Sequence, residues 1–217
     1  MRYVLTFHGL GGDRRTMSPI HEYCGDRLDE TTFVAVEGPL DLGAPDSPCL
    51  GWFEPPGENR FVDGPDPPRL SGIRQSVALV HRTMDALADR GVASTQIHLL
   101  GHSQGGAIAI VSALTYPEPL GGVHSIAGYL AFTPEMKLLG SDTPYYLHHS
   151  RYDDNVHCKW SAYAQNFLAS QGRLCVLRQW EIDVQPHAIH PQQLDAICAQ
   201  IRGVSRHASS RDERGEK

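Results

Sequence analysis

Short apolar runs alternate along the chain with longer segments in which apolar residues recur at helical spacing. The runs have the length and composition of buried strands; they are Arg2–Phe7, Thr32–Val36, Gln96–Gly101, Val123–Ala127, Pro144–His149 and Leu174–Trp180. Nearly continuous apolar strands separated by helices are typical of a parallel sheet that is covered on both faces. The pattern therefore predicts an α/β fold with a mostly parallel sheet and helices on both of its faces.

Three segments carry an apolar stripe that predicts an amphipathic helix. The first follows Ser71 as N-cap and ends before Gly91, with Ile73, Val77, Val80, Met84 and Leu87 as its stripe. The other two stripes are Val156, Trp160, Tyr163 and Phe167, and Leu194, Ile197, Cys198 and Ile201 after a first-turn Pro191. The segment after Ser103 is small or apolar all round, so we expect it to be a buried helix that Pro117 ends.

Two segments fall outside this alternation. Residues 37–69 hold 8 of the 15 prolines and seven acidic residues against two arginines, Arg60 and Arg69. A long irregular segment inside a compact domain is usually functional, so we expect this one to be a loop or lid beside the substrate. Residues 204–217 are polar and are predicted to form a disordered tail. Residues 1–203 are then one domain without a separate cap domain.

Composition and charge narrow the function classes. The 19 basic residues against 25 acidic ones give a net charge of −6, which argues against a nucleic-acid partner. No apolar run approaches the ~18 residues that a membrane span needs, and the N-terminus lacks the apolar core of a signal peptide. Five widely spaced cysteines without a C-x-x-C pair indicate reduced thiols and a cytoplasmic protein.

The segment LGHSQGG at 100–106 contains the pattern G-x-S-x-G. It follows the apolar strand IHLL and opens a helix, which is where a nucleophile elbow must lie. A tight strand-to-helix turn exposes the hydroxyl of Ser103, and glycines on either side keep the backbone free of clashes. The backbone N–H of Gln104 would then point at a developing oxyanion.

The segment HGLGGD at 8–13 follows the first strand directly and suits the other half of an oxyanion hole. The backbone N–H of Leu10 is the expected second donor. A dinucleotide-binding turn is the rival interpretation, but the third glycine of G-x-G-x-x-G would fall on Arg14, so that fingerprint fails.

A serine nucleophile needs a base, and the base needs an acid to orient it. In the chain order of hydrolases the acid follows a later strand and the histidine follows the last one. Asp153 and Asp154 follow the strand that ends at His149, and His187 and His190 follow the strand that ends at Trp180. His190 precedes Pro191 directly and resembles a capping residue, so His187 is the preferred base, as Asp153 is the preferred acid.

A metal centre is the alternative for the histidines near the acid. His148, His149, His157 and Cys158 are close in sequence but lack a recognised ligand spacing such as H-E-x-x-H. We therefore predict no metal and no organic cofactor.

Taken together, these motifs resemble the phospholipase/carboxylesterase family of α/β-hydrolases, which includes the acyl-protein thioesterases. The resemblance runs from the first strand to about residue 202. It is carried by FHGLGGD at 7–13, WF at 52–53, SGIRQSVALV at 71–80, LLGHSQGGAIAI at 99–110, H-x-x-x-D-x-x-V at 149–156 and H-x-I-x-P at 187–191. Ser150 stands where the family usually has glycine, and His102 stands where it often has an aromatic residue.

The resemblance implies a serine hydrolase that cleaves esters or thioesters of small to medium acyl groups. It assigns Ser103 as nucleophile, Asp153 as acid and His187 as base, and it puts Leu10 and Gln104 at the oxyanion hole. By the same resemblance Trp52 and Phe53 lie beside the acyl pocket, with His8 and Gly9 on the oxyanion loop that contacts substrate. Only seven residues precede His8, so we expect a truncated sheet of about six strands.

The alternatives are a biosynthetic acyl hydrolase or acyltransferase with the same triad, and a catalytically silent binding protein on the same scaffold. In every case the expected partner is a small molecule.

Overall fold

Six parallel strands form the central sheet of the protein. The computed structural model describes residues 1–44, 46–54, 72–132, 135–139 and 142–212, with side chains to residue 203. The strands of the sheet are β1 (Arg2–Phe7), β2 (Thr31–Val36), β5 (Ile97–His102), β6 (Gly122–Ile126), β7 (Tyr145–Ser150) and β8 (Cys175–Trp180). Two further strands, β3 (Leu40–Asp41) and β4 (Leu50–Gly51), pair antiparallel in a small hairpin.

The strand order is β2-β1-β5-β6-β7-β8, and every neighbouring pair is parallel. Each predicted strand agrees with the observed one to within one residue at both ends. The prediction holds because both faces of the central strands are buried, so that these strands carry almost no polar positions. The predicted fold class, with about six strands, is confirmed.

Helices cover both faces of the sheet. They are α1 (Ser18–Gly25), α2 (Ile73–Ala88), α3 (Gln104–Leu114), α4 (Lys159–Ser170) and α5 (Pro191–Asp212). All eleven residues of α3 are buried, as its uniformly small and apolar sequence predicts. Within the described ranges, no helix is both long enough and apolar enough to span a bilayer.

Two apolar clusters lie on opposite faces of the sheet, since successive strand residues point to opposite sides. On β1, Val4 packs into the cluster that includes Ile20, Leu194 and Ile197 of α1 and α5. Its neighbour Leu5 packs into the larger cluster with α2, α3 and α4.

Three predicted boundaries need comment. The helix α2 is capped by Gly72, which has a φ of 86°, and the predicted cap Ser71 lies outside the described residues. The helix α3 ends at Leu114 with Thr115 as its cap, a few residues before Pro117. The backbone of α5 continues to Asp212, although a disordered tail is expected from residue 204. Residues 204–213 contain no glycine or proline that would stop a helix.

A row of buried histidines crosses the face of the sheet that α5 covers. The Nδ1–H of His124 on β6 donates to Gln200 Oε1 (3.3 Å), and the Nε2–H of His148 on β7 donates to the same oxygen (3.2 Å). His98 Nδ1 on β5 lies 3.4 Å from His124 Nε2. Burial lowers the pKa of His98 to about 3 and that of His148 to about 4, and it also places the pKa of His124 well below its usual value.

This row predicts acid-labile folding. As the pH falls below the ordinary histidine pKa of about 6.5, the unfolded chain takes up protons that the folded chain resists. The free energy of unfolding should therefore fall between pH 7.5 and pH 5, by about 1–2 kcal/mol for each buried histidine. Urea unfolding at the two pH values measures this loss, and His124→Leu should reduce it. An unfolding free energy that is equal at both pH values would contradict the prediction.

Candidate active site

Ser103 lies at a sharp turn between β5 and α3. Its φ is 55° and its ψ is −120°, a conformation that a residue with a side chain adopts only when its surroundings enforce it. The backbone N–H of Ser103 donates to the carbonyl of Ile126 (2.8 Å), and its carbonyl accepts from Ala107 in the first turn of α3 (3.1 Å). The turn leaves the Ser103 side chain only partly buried at the carboxyl end of the sheet.

The glycines of the motif are required by close backbone approaches. A Cβ on Gly101 would lie 2.1 Å from the carbonyl oxygen of Gly105, and a Cβ on Gly105 would lie 2.2 Å from that of Phe7. On Gly106 it would lie 2.5 Å from Ser125 Oγ. The G-x-S-x-G spacing therefore lets α3 pack directly onto the ends of β1 and β5.

Two residues that line the same pocket as Ser103, Gln104 and Leu10, have backbone N–H groups of interest. Gln104 is the first residue of α3, and Leu10 is in the loop after β1. In the described part of the chain, neither N–H has a hydrogen-bond partner. Both groups are therefore available to a ligand.

The side chain of Gln104 has a separate role, which the sequence did not indicate. It is buried, its Oε1 accepts from the N–H of Trp52 (2.9 Å), and its Nε2 donates to the carbonyl of Phe53 (2.8 Å). Ser76 of α2 donates to the carbonyl of Trp52. These bonds fix the segment after β4 against the start of α3.

His8 is a structural residue of the loop after β1. Its Nδ1–H donates to the carbonyl of Gly9 (2.7 Å), and its Nε2 accepts from the N–H of Gly38 (2.9 Å). Burial lowers the pKa of His8, which favours this neutral form. The indole N–H of Trp52 donates to the carbonyl of His8 (2.9 Å).

Asp153 follows β7 and is fully buried. Its Oδ1 accepts from the N–H groups of Asn155 (3.0 Å) and Val156 (2.9 Å). Its Oδ2 accepts from His187 Nδ1 (2.7 Å) and lies 3.1 Å from His149 Nε2. Burial by itself raises the pKa of this carboxyl, but the hydrogen bonds from the two histidines and Val156 outweigh burial, so the pKa lies well below its usual range.

His187 connects Asp153 to Ser103. Because the carboxylate of Asp153 accepts from Nδ1, the proton of the neutral ring is on Nδ1 and the lone pair is on Nε2. Ser103 Oγ lies 3.0 Å from that Nε2 and donates to it. The three side chains thus have the contacts that activate a serine hydroxyl as a nucleophile.

The alternative acid and base do not reach this site. Asp154 is exposed, whereas Asp153 has no exposed side-chain surface. His190 donates from Nε2 to the carbonyl of Gln185 (2.9 Å) and so closes the loop that carries His187. Ser150, at the position where the resemblance implies glycine, donates to the carbonyl of Ile182 (2.6 Å), and the turn brings Asp153 to the site.

His102 contacts the backbone of the loop that carries His187. Its Nε2–H donates to the backbone carbonyl of His187 (2.6 Å), and the two rings have their centroids 5.0 Å apart. Its Nδ1 faces the loop after β1, since a Cβ on Gly9 would lie 3.3 Å from that atom. Burial, followed by the nearby His187, lowers the pKa of His102 to about 4, so the ring is neutral at physiological pH.

A cleft of about 450 Å³ opens above Ser103. Its wall contains no Asp, Glu, Lys or Arg among the residues that the structure describes. The lining residues are Gly9, Leu10, Gly12, Thr16, Met17, His102, Ser103, Gln104, Tyr129, Asn155, Val156, His187 and Ile189.

Five of the nine predicted site residues line this cleft, and four do not. Gly9, Leu10, Gln104, Ser103 and His187 are in its wall, with Asp153 directly behind His187. His8, Trp52 and Phe53 have no exposed surface and lie beneath the cleft. The sequence did not predict Met17, Tyr129 or Ile189 as site residues, although Tyr129 follows the carboxyl end of β6, where the ligand sites of parallel sheets lie.

The histidines that could have suggested a metal point in different directions. His148 faces Gln200, while His149 faces Asp153 and Ser161. In the described ranges, no three His, Cys, Asp or Glu side chains come together as a metal site.

Comparison with known proteins identifies the family of this chain and several similar esterases. The model of the phospholipase/carboxylesterase family matches residues 2–205. The chain is 26% identical to carboxylesterase SOBER1 of Arabidopsis thaliana over 96% of this chain and 92% of the relative. The crystal structure of SOBER1 superposes with a TM-score of 0.78 at 25% identity, covering 94% of this chain and 98% of that one.

Two further proteins are similar to this chain over most of its length. Acyl-protein thioesterase 1 of Saccharomyces cerevisiae is 24% identical over 92% of this chain and 91% of the relative. The crystal structure of esterase PE8 has a TM-score of 0.78 at 26% identity, covering 94% of this chain and 92% of that one.

The contact between His102 and His187 predicts how fast Ser103 reacts. An organophosphorus fluoride such as diisopropyl fluorophosphate should modify Ser103, and Ser103→Ala should abolish the modification. His102→Phe removes the donor to the His187 carbonyl and should slow the modification by about 10- to 100-fold, because a displaced base is a poor one. His102→Gln keeps an N–H donor and should retain most of the rate. Equal rates for the phenylalanine variant and the wild type, measured by mass spectrometry, would rule out this role of His102.

Proposed function

Since this chain belongs to the phospholipase/carboxylesterase family of α/β-hydrolases, we propose that its carboxylesterase- or thioesterase-type chemistry uses Ser103, Asp153 and His187 as a catalytic triad. The observation that carries the proposal is the chain of contacts from Asp153 Oδ2 through His187 to Ser103 Oγ, at 2.7 and 3.0 Å. Both distances are within the hydrogen-bond range that proton transfer to a base requires.

In the first step Ser103 Oγ attacks the acyl carbonyl of the substrate and His187 Nε2 takes the hydroxyl proton. The carbonyl oxygen becomes an oxyanion that the N–H groups of Leu10 and Gln104 stabilise. His187 then donates its new proton to the alcohol or thiol that leaves, and an acyl-enzyme on Ser103 remains.

In the second step water replaces the leaving group. His187 takes a proton from the water, the resulting hydroxide attacks the acyl-enzyme, and the returning proton restores Ser103 as the acid departs. Asp153 holds His187 in the required tautomer and stabilises the imidazolium that forms in both steps.

The cleft supports a neutral acyl group of small to medium size. Its volume of about 450 Å³ is near the lower end of the usual range for small-molecule pockets, ~300–1,000 Å³. Apolar side chains such as Leu10, Met17 and Ile189 provide contacts for an acyl chain. Arg60 and Arg69, which could favour an anionic substrate, lie outside the described residues.

The same contacts favour an active enzyme over a catalytically silent scaffold. A binding protein has no need of a serine in a strained conformation with a base 3.0 Å from its hydroxyl. All five cysteines are free, which supports a reducing compartment, and we place the enzyme in the cytoplasm.

Hydrolysis of p-nitrophenyl esters from acetyl to dodecanoyl tests the proposal. Turnover should be greatest for short and medium chains, because the cleft limits the length of the acyl group. Ser103→Ala should lower kcat/KM by several orders of magnitude and leave the circular dichroism spectrum unchanged. A Ser103→Ala variant with nearly wild-type turnover would overturn the mechanism.

The adjacent aspartates provide a matched pair for testing the acid. Asp153→Asn should lower kcat by roughly three to four orders of magnitude, because two backbone N–H groups would hold the amide oxygen at the Oδ1 position and turn the NH2 toward His187, which favours the wrong tautomer of that ring. Asp154→Asn changes the same charge on an exposed neighbour and should have almost no effect. The opposite ranking in a steady-state ester assay would assign the acid to Asp154.

A further inference from the structure

His149 at the end of β7 is a buried histidine that the proposed mechanism does not use. Its side chain has no exposed surface, and each ring nitrogen has close polar neighbours. Nε2 lies 2.7 Å from the carbonyl oxygen of Val156 and 3.1 Å from Asp153 Oδ2. Nδ1 lies 2.5 Å from Ser161 Oγ on α4.

The neighbours of Nε2 fix the role of that nitrogen. A carbonyl oxygen and an ionised carboxylate can only accept hydrogen bonds. Nε2 of His149 therefore carries a hydrogen, which it directs at the carbonyl of Val156 and at Asp153.

The neighbour of Nδ1 leads to the same conclusion for the other nitrogen. Ser161 has a single hydroxyl hydrogen, and its Oγ lies 2.8 Å from the carbonyl of Gly128, which can only accept. If the hydroxyl donates to Gly128, the Ser161 oxygen can only accept from His149, so Nδ1 also carries a hydrogen.

The neutral alternative leaves a polar group unpaired. If the Ser161 hydroxyl turned toward Nδ1, the buried carbonyl of Gly128 would have no donor within the described ranges. An unpaired buried carbonyl is unfavourable, and a ring without charge would also give up its ion pair with the buried Asp153.

We propose that His149 is a doubly protonated imidazolium in the resting enzyme and forms a permanent ion pair with Asp153, which makes it a positioning residue for the triad. The inference rests on the proposed triad for its catalytic consequence. It rests on the contacts of His149 alone for the protonation state.

The ion pair weakens the electrostatic stabilisation of a protonated His187. The N–H groups of His149 and His187 point at the same oxygen, Asp153 Oδ2. The positive charge on His149 offsets the carboxylate, so a proton on His187 Nε2 gains less stabilisation than it would from an unpaired aspartate. Asp153, His187 and the neutral ring of His102 are the titratable groups described around His149. We therefore expect His187 to remain an active base at lower pH than it would beside a neutral residue.

Nitrogen NMR of the resting protein tests the protonation state without reference to activity. With ¹⁵N-labelled histidine at pH 7.5, His149 should give two ring N–H signals and two nitrogen shifts in the protonated range. His149→Gln assigns the signals by their disappearance, and Ser161→Ala, which perturbs the Nδ1–H signal, provides the assignment if the glutamine variant does not fold. One protonated and one unprotonated nitrogen would overturn the proposal.

The pH profile of ester hydrolysis tests the consequence. His149→Gln keeps an N–H donor near Asp153 but removes the charge, so the acid limb of kcat/KM should move to higher pH by about one unit. His81→Gln is the matched control: His81 donates to the carbonyl of Ser112 on the far side of α3, and its loss should leave the limb in place. If the acid limb of kcat/KM stays at the same pH in His149→Gln, His149 contributes only packing and the proposal is overturned. This holds even if the rate of the variant is lower.

These outcomes separate the inference from the proposed function. If Ser103→Ala retained full turnover, the triad would be wrong, but the two N–H signals of His149 would still decide its protonation state.

Discussion

The turn at Ser103 is the constraint on which the rest of the site depends. A left-handed φ at a residue with a side chain persists only where packing on both sides enforces it. Here β5 enters the turn from the middle of the sheet, and α3, buried along its whole length, leaves it. Because Gly101 and Gly105 have no Cβ atom, α3 can lie close to the backbone of β1 and of β5. Rigid elements thus hold the serine, and the loops that bear its partners are attached to them.

Histidines make several of those attachments. His8 fixes the loop after β1 to Gly38, His102 holds the backbone of His187, and His190 closes the loop around it. Burial keeps His8 and His102 neutral, which suits a donor to a carbonyl. The proposed charge on His149 differs because its neighbours include an ionised carboxylate. The protonation state of each ring follows from whether its neighbours donate or accept.

The sequence predicted the strands well, and the residues that we propose as a triad lie in contact in the structure, whereas the cleft wall was predicted poorly. Central parallel strands are apolar at nearly every position, so their limits are marked by the first polar or glycine residue. Asp153 and Asp154 are adjacent in a loop, and only the three-dimensional structure separates the buried one from the exposed one. Trp52 and Phe53 were expected beside the substrate, yet Gln104 binds their backbone and holds them beneath the cleft. Such contacts join residues about fifty positions apart, and no local pattern encodes them.

Trapping of an acyl-enzyme would identify the nucleophile. The protein is mixed with p-nitrophenyl acetate, the reaction is stopped with acid during turnover, and the peptide that carries Ser103 is weighed by mass spectrometry. We expect one acetyl group on Ser103, which disappears once the ester is exhausted. Release of p-nitrophenol with Ser103 unmodified and the acetyl group on another residue would contradict it.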